Sequence, residues 1–374
     1  MKNDHVLERT DRYERFYRSN QPGDLLVVVR QNPYWMSKKN LFDYDFENGG
    51  HLAMAEDMAL CAETLMEKSI QVGDDMVPWI CPDFGIAINH TYVIDMPIKF
   101  AEWTSWASAP LMGPDGWARL PEVRYDPENR WVRLIKEMVE VLQARPSQPY
   151  LVNGHYHFSP LDLANALRGN DVFTDFYENP DEVTELLRRC TETIGAFEAD
   201  LRGLLGDRPG VPFWGAVAPR NSIFVSEDAM DMCGPRISAE WGQRWTEQLR
   251  DRFGSLTIHH HMMGHKTHGL IGQMARNSLV QISNDPNYPP AAEQLLDLYA
   301  ASGTNALMFD CGLEELRRLK DVLARIRAVV VVAVGDDQDA AREAVALVRS
   351  ISTIPASVES REQECTPVEV SGGI

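Results

Sequence analysis

Eight short runs of apolar and β-branched residues recur along this 374-residue chain, at 25–30, 76–81, 150–154, 212–217, 256–261, 279–283, 306–310 and 328–334. Each is followed by Gly, Pro, Asn or Asp and then by a segment with apolar residues at three- and four-residue spacing. Runs of this length read as buried strands, and strands separated by helical crossovers pair in parallel. Eight such units predict an α/β fold, a (β/α)8 TIM barrel in a single domain. The intervening helices are predicted over 55–70, 130–144, 181–205, 239–253, 291–301, 313–326 and 338–350. Ser159 and Pro160 have the pattern of an N-cap with proline in the first turn, so a short helix over 161–167 should end at Gly169. A doubly wound open sheet is the alternative, but no Gly-rich phosphate loop follows the first run.

The barrel is predicted over 24–352, with an insertion around 86–130 that carries Trp103, Trp106 and Trp117 across its mouth. Residues 1–23 read as a polar N-terminal segment and 353–374 as a flexible C-terminal tail. A hydrophobic fraction of 44% suffices for a large core. The net charge of -19 argues against nucleic-acid and anionic-membrane partners, which need a concentrated basic surface. The apolar run at 328–334 is far shorter than the roughly 20 residues that cross a bilayer. Residues 1–20 carry charge and no apolar core, unlike a secretory signal, so a cytoplasmic location is expected. The cysteines at 61, 81, 190, 233, 311 and 365 lack paired spacing and read as reduced thiols.

In a barrel the chemistry collects where strands end. The first run delivers Arg30, Gln31, Tyr34 and Trp35, the second Cys81 and Asp83, and the third Tyr156 and His157. The fourth delivers Trp214 and, after a loop, Glu227 and Asp228; later runs deliver Asp285, Asp310 and Cys311. The fifth ends in the densest feature of the chain, with five of its ten histidines between Ile258 and His268. Imidazole changes charge near neutral pH and is the commonest metal ligand. On an extended strand His259 and His261 point one way and His260 the other, while His265 and His268 share a helix face, so up to four rings would meet at one mouth. Plainer roles compete: an aspartate after a strand is often a helix cap, a tryptophan often core, and Cys311 a small apolar filler.

The segment Phe158-Ser-Pro-Leu-Asp-Leu-Ala-Asn-Ala-Leu-Arg168-Gly, with Asp175-Phe-Tyr-Glu-Asn-Pro-Asp-Glu-Val183 after it, resembles the G-P-x-T-L-A-x-x-L-R-G and Y-E-x-P-E-x-V segments of the uroporphyrinogen decarboxylase (URO-D) superfamily. That superfamily includes corrinoid-linked methyltransferases that act with coenzyme M or tetrahydrofolate. Arg30-Gln31 is similar to its R-Q-x-G-R opening, and Cys81-Pro-Asp83 to the stretch with its substrate-facing aspartate. The stretch from Ser226 to Asp228 and on through Gly234 to Ser238 resembles the region of its S-P turn, and His261-Met-Met-Gly264 falls where many members have H-x-C-G. The resemblance spans roughly 24–311 and implies a barrel, a small-molecule substrate and a homodimer.

Two departures bear on activity. Tyr34 stands where decarboxylases have a second carboxylate-binding arginine, and acidic residues follow Val334 where they carry N-x-G-H-G. The resemblance therefore implies first a corrinoid-linked, zinc-dependent methyltransferase acting on a small methylated substrate, with a corrinoid as co-substrate or a corrinoid protein as partner. Asp83, His157 and His261 are its expected catalytic residues, and Arg30, Gln31, Tyr34, Trp35, Tyr156, Asp228 and Trp214 its substrate contacts. Met263 replaces the first zinc cysteine, so His261 with His259 and Cys311, supplemented by Asp285 or Glu227, is the expected ligand set. The alternative is a metal-free decarboxylase of a pyrrolic or aromatic acid, with Asp83 stabilising positive charge and His157 or His261 giving the proton. A third is a non-catalytic ligand-binding barrel.

Overall fold

The computed structural model describes residues 2–31 and 39–355. Tyr34, Trp35 and the tail from 356 onward lie outside the described residues. Nine strands position the site: β1 (Leu25–Gln31), β2 (Trp79–Ile80), β3 (Leu151–Val152), β4 (His157–Phe158), β5 (Ser222–Ser226), β6 (Ser255–His261), β7 (Leu279–Ser283), β8 (Ala306–Gly312) and β9 (Ala328–Gly335). Seven form one parallel sheet in the order β1-β9-β8-β7-β6-β5-β4, and β2 pairs with β3 in a separate parallel pair. Between β1 and the segment leading into β2 carboxylates extend the pairing: Val27 N donates to Asp75 Oδ2 at 2.8 Å and Val29 N to Asp74 Oδ2 at 2.8 Å.

The fourth predicted strand is a correction. Residues 211–213 and 216–218 form an antiparallel hairpin whose two-residue turn, Trp214-Gly215, has φ of 44° and 86°. Positive φ at both central residues is the twist-matched hairpin turn, which a sequence break at Trp214-Gly215 permits. The strand that joins the sheet is Ser222–Ser226, paired in register with 255–259.

Alternation along the strands divides two apolar layers. Val27, Val29, Val225, Ile258, Ile282, Phe309 and Val330 pack against the helices. Leu26, Val28, Phe224, Leu279, Met308, Val329 and Val331 pack on the other face with Phe213 and Val217 of the hairpin. That second layer also takes Val6, Tyr13, Phe16 and Tyr17 from a helix, Lys2–Ser19. The segment read as merely polar is thus an amphipathic helix that covers the sheet, as a parallel sheet buried on both faces requires.

Most predicted helices form, as Gly50–Val72, Arg130–Gln143, Pro180–Leu205 and Gln338–Ile351. Pro160–Arg168 starts where Ser159 Oγ accepts from Asp162 N at 3.1 Å. The segment 313–326 breaks into Leu313–Arg318 and Lys320–Leu323, and 239–253 begins with a π-turn at Ser238–Gln243. Among the described residues no helix is long and apolar enough to cross a membrane.

Candidate metal centre

β6 carries Thr257, His259 and His261 on the face away from the helices, at the carboxyl end of the sheet. The loop after β5 brings Asp228 over them at the start of a short helix, Asp228–Asp231. His259 Nε2 and His261 Nε2 stand 3.2 Å apart, and Asp228 Oδ1 lies 3.6 Å from the first and 3.7 Å from the second. Three potential ligand atoms thus form a nearly equilateral triangle. A metal bound tetrahedrally at about 2.0–2.1 Å holds its ligand atoms about 3.3–3.4 Å apart, so closing the two longer edges by about 0.2–0.3 Å gives zinc-type geometry. Octahedral neighbours at the same bond length stand about 3.0 Å apart, farther from what is observed.

The protons around the triangle make the same point. His261 Nδ1 is 2.8 Å from Asp285 Oδ1, an acceptor, so Nδ1 donates there and Nε2 is the nitrogen turned to the triangle. His259 Nδ1 meets Gln281 Oε1, while Gln281 Nε2 lies 3.3 Å from Ser283 Oγ, so Nδ1 donates to the amide oxygen and Nε2 faces the triangle. Burial lowers the His259 pKa, with the Asp228 carboxylate opposing it, which keeps the ring neutral. Asp228 Oδ1 is buried without a hydrogen-bond donor. Two ring Nε2 atoms and a carboxylate oxygen converge while each ring's Nδ1 is engaged outside the triangle, so all three are placed to ligate a cation.

The residues that orient the two imidazoles come from the neighbouring strand, β7, and the residues just after it. Register places Gln281 beside His259 and Ser283 beside His261. Asp285 also accepts from Met263 N at 2.7 Å, which fixes the turn after His261. Asp231 Oδ2 accepts from His261 N at 2.6 Å, and burial pushes the Asp231 carboxyl up to about 7. The Trp214 ring meets His259 edge to face at 4.9 Å between centroids, held there by a backbone conformation that bulky residues rarely adopt.

Other predicted residues fall into three groups. Tyr156 lies near the centre, its hydroxyl kept protonated by burial and by the carboxylates of Asp83 and, more weakly, Asp228. Asp83 accepts from Gly85 N at 2.8 Å, and burial raises its pKa. Arg30 is on the site face but forms an ion pair with Asp310 at 2.6 Å.

Three expected residues face the helices instead. Gln31 is buried and accepts from Gln338 Nε2 at 2.6 Å. His157 is buried 3.2 Å from Glu198 of helix Pro180–Leu205 and packs edge-on against Phe197. Cys311 packs in the helix-side core, and burial pushes its thiol up to about 12, so it offers no thiolate to the triangle.

The four-imidazole mouth is corrected as well. His260 and His268 pair on the helix side, Nε2 to Nδ1 at 2.8 Å, and His268 Nε2 bonds Ser302 Oγ at 2.7 Å. Burial lowers their pKa values to about 4 and about 3. His265 Nδ1 bonds the Met262 carbonyl at 3.1 Å. Glu227 is buried and accepts from Thr246 Oγ1 at 2.5 Å, outside the triangle. Gln281 and Asp231 bond His259 and His261, and sequence reasoning did not single them out; a glutamine inside the apolar run Leu279-Val-Gln-Ile-Ser was the available signal for the first.

A B12-independent methionine synthase from Shewanella sp. W3-18-1, solved in complex with selenomethionine, is similar in structure over 88% of this chain and 97% of its own, with a TM-score of 0.50 and 12% identity. At that identity the likeness is one of fold. No family model and no curated protein matches the chain, so the URO-D resemblance stands on its motifs.

Proposed function

We propose that the protein is a metal-dependent methyltransferase with a His259–His261–Asp228 zinc site in a barrel-type α/β fold, as the URO-D-like motifs suggest. The observation that carries this is the convergence of two imidazole Nε2 atoms and one carboxylate oxygen at edges of 3.2, 3.6 and 3.7 Å, with each Nδ1 engaged elsewhere. When bound, zinc with an open fourth position lowers the pKa of a coordinated thiol or water and makes it a nucleophile at neutral pH. The chain's own residues supply the rest. Asp285 and Gln281 hold the two imidazoles in the Nδ1–H form, so both Nε2 atoms stay available. Asp228 brings the negative charge. Trp214 excludes water from one side of His259, and the Tyr156 hydroxyl, kept protonated by burial, can donate a hydrogen bond to a substrate beside the triangle.

The fold match, to an enzyme described as a B12-independent methionine synthase, supports methyl transfer over decarboxylation and lends nothing to the corrinoid. The decarboxylase reading also loses one of its two proton donors, because His157 is turned toward helix Pro180–Leu205. The test is metal analysis by mass spectrometry on chelator-free protein without an affinity tag, followed by assay of methyl transfer from methylated folates and small methyl donors to thiols. About one equivalent of zinc, lost in His261→Ala and in Asp228→Ala, and a methylated thiol product are expected. Full activity in zinc-free protein would refute the assignment.

A further inference from the structure

Asp228 has a second aspect. The same residue lines a half-open pocket of about 280 Å³ bordered by helices Ile88–Thr91 and Pro160–Arg168 and by the start of Asp228–Asp231. Ile86, Trp106, Phe158 and Met232 supply much of its apolar wall, and His90, Asp162 and Asn165 its polar positions. Asp162 is already engaged, accepting from Asp228 N at 3.0 Å and Ala229 N at 2.6 Å. His90 is not. It is only 7% exposed, and neither ring nitrogen has a hydrogen-bond partner. Burial brings its pKa down to about 4; the Ser108 main chain opposes this without completing a well-formed bond. A neutral buried imidazole with both nitrogens unsatisfied is costly, and a ligand in the cavity is where a partner would come from.

Size and charge narrow the class. An enclosed cavity of about 150 Å³ holds benzene, so a pocket of about 280 Å³ has room for a ring with a substituent. No lysine or arginine lines it, which leaves nothing to hold a carboxylate or phosphate.

We propose that this cavity is the subsite for the body of the substrate: a neutral organic group of about one substituted ring, whose hydroxyl or amide bonds His90 while its reacting end passes Asp228 toward the two histidines. The direction of that reacting end, and the engagement of Asp228 that disfavours a cationic ligand, rest on the metal-centre reading; the pocket's size, its lack of Lys or Arg and its unpartnered His90 do not.

The probe is 4-fluorophenol, followed by fluorine NMR on the full chain, with metal content measured on the same samples. Saturable binding is expected, weakened about 3–10-fold by His90→Phe through loss of one hydrogen bond. Ala166→Phe, which fills the cavity, should weaken it at least about tenfold. Circular dichroism and unfolding curves check both variants; if one fails to fold, the other decides. No binding, binding indifferent to the folded variants, or tighter binding of 4-fluorobenzoate or 4-fluorobenzylammonium overturns the proposal. Metal-free protein that binds the phenol with these sensitivities upholds the cavity and sinks only the metal reading, whereas metal-loaded protein that does not bind it sinks only the cavity.

Discussion

Replacing Asp285 by asparagine separates metal affinity from folding. Its two carboxylate oxygens serve two donors, His261 Nδ1 at 2.8 Å and Met263 N at 2.7 Å. An amide has one acceptor oxygen, so in Asp285→Asn an NH2 group must face either the imidazole N–H or the main-chain N–H. Losing the acceptor that orients a metal-ligating histidine weakens metal binding about 10–100-fold. That is about 1.4–2.7 kcal/mol. The cost to the metal-free fold should stay below about 1 kcal/mol, since a displaced N–H at this partly exposed turn finds water. Zinc competition against a chromophoric chelator reads the first quantity, and urea unfolding of the metal-free protein the second. Zinc affinity unchanged within error, or a loss of affinity that merely tracks unfolding, would refute the reasoning.

Gln281→Leu should act on His259 as Asp285→Asn acts on His261, weakening zinc about 10–100-fold in the same competition assay. Cys311→Ala should keep its full equivalent of zinc by mass spectrometry while losing about 1–2 kcal/mol of stability as a core truncation; loss of zinc would return Cys311 to the site. His90 gives a pH prediction. Its folded pKa of about 4 lies below the 6.5 of a free imidazole, so below about pH 6.5 the unfolded chain takes up a proton that the folded chain refuses until about pH 4. The residue therefore costs stability as pH falls through that window, about 2 kcal/mol at pH 5. His90→Phe should gain that much on wild type between pH 7 and pH 5 in urea melts, and parallel pH curves would show that the ring is not held neutral.

Much of the sheet was legible because β1, β8 and β9 open on continuous apolar or β-branched runs, Leu25–Val29, Ala306–Phe309 and Ala328–Val334, and parallel strands buried on both faces read that way. The fourth strand was misplaced because Pro212 to Val217 is equally apolar, and only its turn, with positive φ at Trp214, distinguishes it. The N-terminal helix was hidden by its charged face, with Val6, Tyr13, Phe16 and Tyr17 spaced to cover the sheet. Strand alternation placed His259 and His261 together and His260 opposite, as found. The same alternation sets Gln31 opposite Arg30 and Cys311 opposite Asp310, so a parity argument carried through the first and seventh runs would have removed two expected site residues. Asp228 was visible as a strand-end residue, but its part in the triangle depends on the true path of β5. His90 carries no local signal, because its isolation arises from packing among distant segments.

The most direct test of the central claim is anomalous diffraction at the zinc edge from crystals grown with zinc. The account predicts one peak about 2.0–2.2 Å from His259 Nε2, His261 Nε2 and an Asp228 carboxylate oxygen. Crystals showing no peak at that triangle, or a peak on other ligands such as Cys311, would contradict it.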